Sequence, residues 1–150
     1  MPLPNAAGEL FFVDESALGL GKGMSALRRD TLHAGHAAIP QVPLGSDDVT
    51  WMPIVARRGL IALGRDKKVR SRPAERQRIL DSGLRYIWIG GKRDESSWEW
   101  MRRLMRHWDA LMAMANPLGP GPWIITLNQN GIAVNHPAPA ERPRGARRPG

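Results

Sequence analysis

Three acidic residues stand where a small α/β protein would gather them for chemistry. Asp14 follows the apolar run Leu10-Phe11-Phe12-Val13, and Asp66 comes shortly after Leu60-Ile61-Ala62-Leu63. Asp48 opens an apolar-periodic stretch that precedes the second run. In an open parallel sheet the carboxyl ends of the strands share one edge, and a helix that follows a strand starts on that same edge. All three carboxylates can therefore converge. Crowded carboxylates repel one another, and a bound divalent cation is the usual resolution. Oxygen-only donors select Mg2+ or Mn2+ over zinc or copper, and such an ion can activate water and stabilise charge on a phosphate being cut. Each acid also has a plain use. Asp47 and Asp48 suit helix caps, Asp66 suits a surface turn before Lys67, and Asp14 suits an ion pair with a neighbouring Lys or Arg.

The elements that must position these acids follow from apolar spacing and from Gly and Pro. Residues 10–13 read as a strand buried on both faces, followed by a glycine-studded turn, Gly19-Leu20-Gly21-Lys22-Gly23. Met24, Leu27, Thr31 and Leu32 recur at helical spacing, with Gly35 as the stop. Ala37-Ala38-Ile39 suggests a short second strand closed off by Pro40 and Pro43. Pro53 is tolerated only in a first helical turn, so the next helix should start near residues 48–50. A third strand is expected over 60–63. Pro73 and Gly83 bracket a helix over 74–82, and a fourth strand covers 84–89. Ser96 and Glu99 have capping-box spacing. They open a helix whose apolar stripe is Trp98, Met101, Leu104, Met105, Trp108, Leu111 and Met112, with Arg102, Arg103 and Arg106 off it. Asn116-Pro117 stops that helix. A fifth strand over 123–127 leads through Asn130-Gly131 into a hairpin.

Alternating strands and helices predict a small α/β domain with a mainly parallel central sheet of about five strands flanked by helices, closing on a short C-terminal hairpin. The domain should cover residues 10–135. A loose lead, 1–9, precedes it, and a disordered basic tail, 136–150, follows.

Charge and composition narrow the partners. The chain of 150 residues carries 22 basic against 14 acidic side chains, a net charge of +8. That excess favours a polyanion, with nucleic acid first. The tail accounts for only part of it, and the segment 65–78 is itself strongly basic. There is no cysteine, which removes disulfides, thiolate metal sites and cysteine nucleophiles together. No apolar run approaches the roughly 20 residues of a membrane span, and no signal pattern opens the chain, so a cytoplasmic protein is expected. A phosphate-loop reading of Gly21-Lys22 fails: Gly23 replaces the hydroxyl residue, and Ser16 stands where the first Gly should be. His33 and His36 have no third ligand and read as turn histidines.

Taken in order, several segments resemble the PIN-like domain proteins grouped with VapC-type toxins of bacterial toxin–antitoxin pairs. They are Phe11-Phe12-Val13-Asp14, Leu32-His33-Ala34-Gly35-His36, Asp48-Val49-Thr50-Trp51, and Gly59-Leu60-Ile61-Ala62-Leu63-Gly64-Arg65-Asp66-Lys67-Lys68 followed by Arg72-Pro73-Ala74-Glu75-Arg76. The resemblance implies a three-layer PIN-like fold and endoribonuclease activity dependent on Mg2+ or Mn2+. It also implies a cognate antitoxin as partner, and pairing with a second copy. It places the metal ligands on Asp14, Asp48 and Asp66, with Asp94 or Glu95 as the only candidates for a fourth acid. Many members have Thr or Ser where this chain has Gly64. On this reading Lys22, Arg65, Lys67, Lys68, Arg70 and Arg72 grip the RNA backbone, and Trp51 wedges the helix that carries Asp48. Two other classes stay open. One is a nucleic-acid-binding module on the same fold without catalysis. The other is a phospho-acceptor domain, which would want a Lys after the fifth strand where Leu127-Asn128-Gln129 offers none.

Overall fold

Alternate residues of the central strands feed two separate cores, and that alternation builds the three layers. Phe11, Val13, Ile61, Leu63, Ile87, Ile89, Ile125 and Leu127 pack on one face, while Phe12, Ala62, Tyr86, Trp88 and Ile124 pack on the other. The computed structural model describes residues 1–92 and 94–137 and leaves the side chain of Arg70 undescribed. All but the first two residues of the expected basic tail lie outside the described residues. The strands are β1 (Phe11–Val13), β2 (Thr31–His33), β3 (Ile61–Gly64), β4 (Arg85–Ile89), β5 (Trp123–Asn128) and β6 (Gly131–His136). They form a six-stranded sheet in the order β2-β1-β3-β4-β5-β6. Every pairing is parallel except β5 with β6, so the expected sheet and its closing hairpin are both present. Helices α1 (Leu18–Leu27) and α5 (Ser97–Ala115) cover the first face, and α2 (Asp48–Arg57) and α4 (Pro73–Asp81) the second.

The first third of the chain departs from expectation. The glycine-studded stretch is helical, because Asp14 caps a 3-10 turn over Glu15–Ala17 that runs straight into α1. Gly21 lets that helix lie against the sheet: a Cβ there would stand 2.9 Å from the Cβ atoms of both Val13 and His33. The helix stops at Leu27. Arg28 and Asp30 pair across the turn at 2.7 Å, and the Asp30 carbonyl accepts from the Leu10 and Phe11 amides. Thr31–His33 is then β2, held beside β1, while Ala37-Ala38-Ile39 is a turn whose Ile39 side chain is buried. Helical spacing misled there because a three-residue strand is too short to show its own period.

Two further differences concern polar groups. The basic run contains a short helix, α3 (Lys67–Ser71), with Asp66 as its cap. On α5 the capping box of Ser96 and Glu99 is present, and of the expected stripe Met101, Leu104, Trp108, Leu111 and Met112 face the core. Arg103 is buried, where it bonds the Gly90 carbonyl and Glu95, whereas Trp98 and Met105 are exposed. The lead is tied down through Glu9, whose carboxylate pairs with Arg58 at 2.7 Å, and Asn5, which donates to the Arg58 carbonyl.

Candidate metal centre at the strand tips

Asp14, Asp48 and Asp66 line one cavity of about 140 Å3 at the carboxyl edge of the sheet. The sequence brings them there by three routes. Asp14 is the first residue after β1, Asp48 is the first residue of α2, and Asp66 lies two residues beyond β3, the strand paired with β1. A larger cavity of about 660 Å3 opens at the opposite edge, among Leu60, Gly83, Arg85 and Gly121, and no carboxylate lines it.

Each acid is held by a local bond to its Oδ1 atom. The Ser16 amide donates to Asp14 at 2.8 Å, and the Ser16 hydroxyl donates to the same oxygen. That hydroxyl also accepts from the Arg65 amide at 2.8 Å, so one serine ties the tip of β1 to the exit of β3. The Trp51 indole donates to Asp48 at 2.9 Å, and the Lys68 amide donates to Asp66 at 2.9 Å. Asp47, not Asp48, caps α2, by accepting from the Thr50 amide. Among the described residues none of the three acids has an ion-pair partner.

The electrostatics follow from burial. Asp14 is 5% exposed, and its carboxyl is pushed up to about 7. Loss of water is the main cause, the charges of Asp66 and Asp48 add to it, and the Ser16 bonds oppose it. A buried carboxylate facing two others without a counter-charge, in a cavity lined by oxygen donors, fits a hard divalent cation. The acids surround the cavity without meeting at one point. Among the described residues no group of three His, Cys, Asp or Glu side chains is already spaced to hold a metal ion, and the local bonds occupy only the Oδ1 atom of each acid.

The remaining expected site residues fall into two groups. Lys22, Lys67, Lys68 and Arg72 are exposed, the last three on or beside the short helix that Asp66 caps. Arg65 is committed elsewhere. Its side chain is 9% exposed, lies 3.5 Å from Glu95, donates to the Lys92 carbonyl and stacks 4.4 Å over the Trp100 ring. Glu95 bridges Arg65 and Arg103, and Asp94 is exposed; neither lines the cavity. Trp51 holds Asp48 directly in addition to wedging α2 against Phe12, their rings 5.4 Å apart.

Two residues at the site escaped the sequence reading. Ser16 offered a signal, a hydroxyl two residues after an acid, which is the spacing of a side chain closing a local turn. Tyr86 offered none, because a tyrosine inside an apolar strand looks like core. Its phenol is fully buried and its pKa is pushed well up, first by burial and then by the charges of Asp14, Asp66 and Asp48.

Among the described residues no helix is long and apolar enough to cross a membrane. Neither the curated proteins nor the solved structures gave a match. The family model described as PIN like domain matches residues 10–91, more than half of the chain, and spans β1 to the end of β4 with all three acids. The chain belongs to the PIN-like domain family.

Proposed function

We propose that this protein is a Mg2+- or Mn2+-dependent endoribonuclease and the toxin of a toxin–antitoxin pair. PIN-like domains are generally nucleases. The observation that carries the reading is the cavity at the strand tips, where carboxylates from β1, α2 and β3 come together without a cationic partner among the described residues. Asp14, Asp48 and Asp66 would hold the ion, each by turning an oxygen toward the cavity. When bound, the ion supplies Lewis acidity to the scissile phosphate and acidifies the water beside it. Ser16 ties Oδ1 of Asp14 to the exit of β3, and Trp51 keeps Asp48 at the rim. Lys67, Lys68 and Arg72 present positive charge next to Asp66, where they draw in the RNA backbone. Single-stranded or looped RNA suits such a rim, since its phosphates can be threaded past a fixed point. A cognate antitoxin protein and a second copy of the chain are the expected partners.

The test is cleavage of labelled single-stranded RNA by the purified chain with Mg2+ or Mn2+, with a chelator, and with Asp14→Asn, alongside induced expression of both forms in cells. Cleavage and growth arrest by the wild type alone support the proposal. Arrest by both proteins removes it. That no three acidic or imidazole side chains among the described residues are already spaced around an ion favours one competing reading, a nucleic-acid-binding module without catalysis. RNA binding that leaves the RNA intact in Mn2+ would select that reading.

A further inference from the structure

Tyr86 is the only tyrosine in the chain. It lies on β4 with no exposed surface, inside the core that α2 and α4 cover; among the described residues its hydroxyl has no partner in good hydrogen-bond geometry, while the Asp14 carboxylate is close enough as an acceptor to help raise its pKa. A phenylalanine would fill nearly the same volume without burying a polar group that lowers stability when left unpaired. The surroundings of the hydroxyl show why it is there. Strand β3 runs between β1 and β4, and its last residue is Gly64. A Cβ at Gly64 would collide with two groups, Asp14 Oδ2 and the Tyr86 hydroxyl. Both therefore reach over β3 from opposite sides into the space that a side chain at position 64 would fill. Ser16 already occupies the other oxygen of Asp14.

We propose that Tyr86 is a positioning residue for Asp14, its buried hydroxyl donating to Asp14 Oδ2 in the space that Gly64 leaves open. Ser16 alone pins one end of the carboxylate and leaves it free to swing about the Cβ–Cγ bond. A donor at the second oxygen stops that swing and still leaves a lone pair for a cation, as an oriented outer partner does for a ligating carboxylate. The contact stands on its own geometry. Only its consequence for metal affinity rests on the nuclease reading.

Because Tyr86 has no counterpart in the chain, isotope-labelled tyrosine gives a single NMR signal for the ring carbon that bears the hydroxyl. That signal is compared in the metal-free full chain as wild type, Asp14→Asn and Asp48→Asn. It should move clearly in Asp14→Asn and far less in Asp48→Asn; an unmoved signal in Asp14→Asn overturns the contact. Mn2+ titration by calorimetry of wild type and Tyr86→Phe then tests the role. Affinity should fall roughly tenfold in Tyr86→Phe. Equal affinity in Tyr86→Phe, whether or not the melting temperature changes, means that Tyr86 only packs, and overturns the role. A wild type that takes up no Mn2+ overturns the nuclease reading alone, and the labelled-tyrosine comparison then decides the Tyr86–Asp14 contact by itself.

Discussion

The indole nitrogen of Trp51 donates to Asp48 Oδ1 at 2.9 Å, so the side chain that anchors α2 to the sheet also sets the carboxylate at the start of that helix. The two tasks separate in Trp51→Phe. This variant keeps an aromatic ring against Phe12 but loses the donor. It should cost about 1–3 kcal/mol of stability from the smaller ring and the lost bond. It should also weaken Mn2+ binding by roughly tenfold, since an outer partner of a ligand is gone. Thermal melts with and without Mn2+ check both. An unchanged Mn2+ shift would mean that the Trp51–Asp48 bond has no part in binding.

Asp14 makes stability depend on pH in a defined direction. Its carboxyl titrates near 3.8 when unfolded and at about 7 in the metal-free fold. Between these values the folded state holds a proton that the unfolded state has released, so stability falls as pH rises. The decline begins above the unfolded value and is complete once pH passes about 7. A shift of that size is of the order of 4 kcal/mol. Asp14→Asn should flatten this dependence and melt higher than wild type at pH values above the folded one. Urea titrations across the range check it.

Metal binding should run the other way. A cation needs the ionised carboxylate, so Mn2+ affinity should climb with pH until Asp14 is deprotonated, then level off. Calorimetric titrations of wild type give the profile. Asp48→Asn and Asp66→Asn should each abolish RNA cleavage and lower Mn2+ affinity, while leaving the fold intact by circular dichroism.

Arg65 and the two lysines after Asp66 look alike in the sequence and should behave differently. Arg65→Ala breaks a shielded pair with Glu95 and a stack on Trp100, which should cost about 3 kcal/mol of stability. Lys67→Ala and Lys68→Ala should leave stability alone. Each should reduce the salt dependence of RNA binding by roughly 0.7 in log–log slope. Melting curves and fluorescence anisotropy at several salt concentrations separate the two behaviours.

How far the residues announced the structure depended on what each element had to satisfy. The strands that carry Asp14 and Asp66 were legible because continuous burial leaves a plain apolar run. The caps of α2 and α5 were legible because a cap is local chemistry. The stretch from Gly19 to Gly23 was not, since Gly21 serves a close approach of α1 to the sheet, and Gly19 and Gly23 a close approach to α5, that only the folded chain reveals. Gly21→Ala should accordingly lower stability by about 1–3 kcal/mol, through overpacking against Val13 and His33. The burial of Arg103 on α5 was hidden for a related reason. Arg103 turns inward to bond the Gly90 carbonyl and Glu95, and no periodicity of apolar residues reports a buried guanidinium. Among the candidate site residues, the three acids were legible from topology, whereas the commitment of Arg65 depended on where Glu95 and Trp100 came to rest.

Strand β1 leaves the ribosome first yet sits inside the sheet, with β2 on one flank and β3 on the other. Its second flank stays open until Ile61–Gly64 has been made and has looped back. Asp14 therefore waits through the synthesis of some fifty further residues for the partner that gathers the acids. During that interval a nascent chain holds its carboxylates apart, free of mutual repulsion. Their crowding requires β3 to have taken its place beside β1.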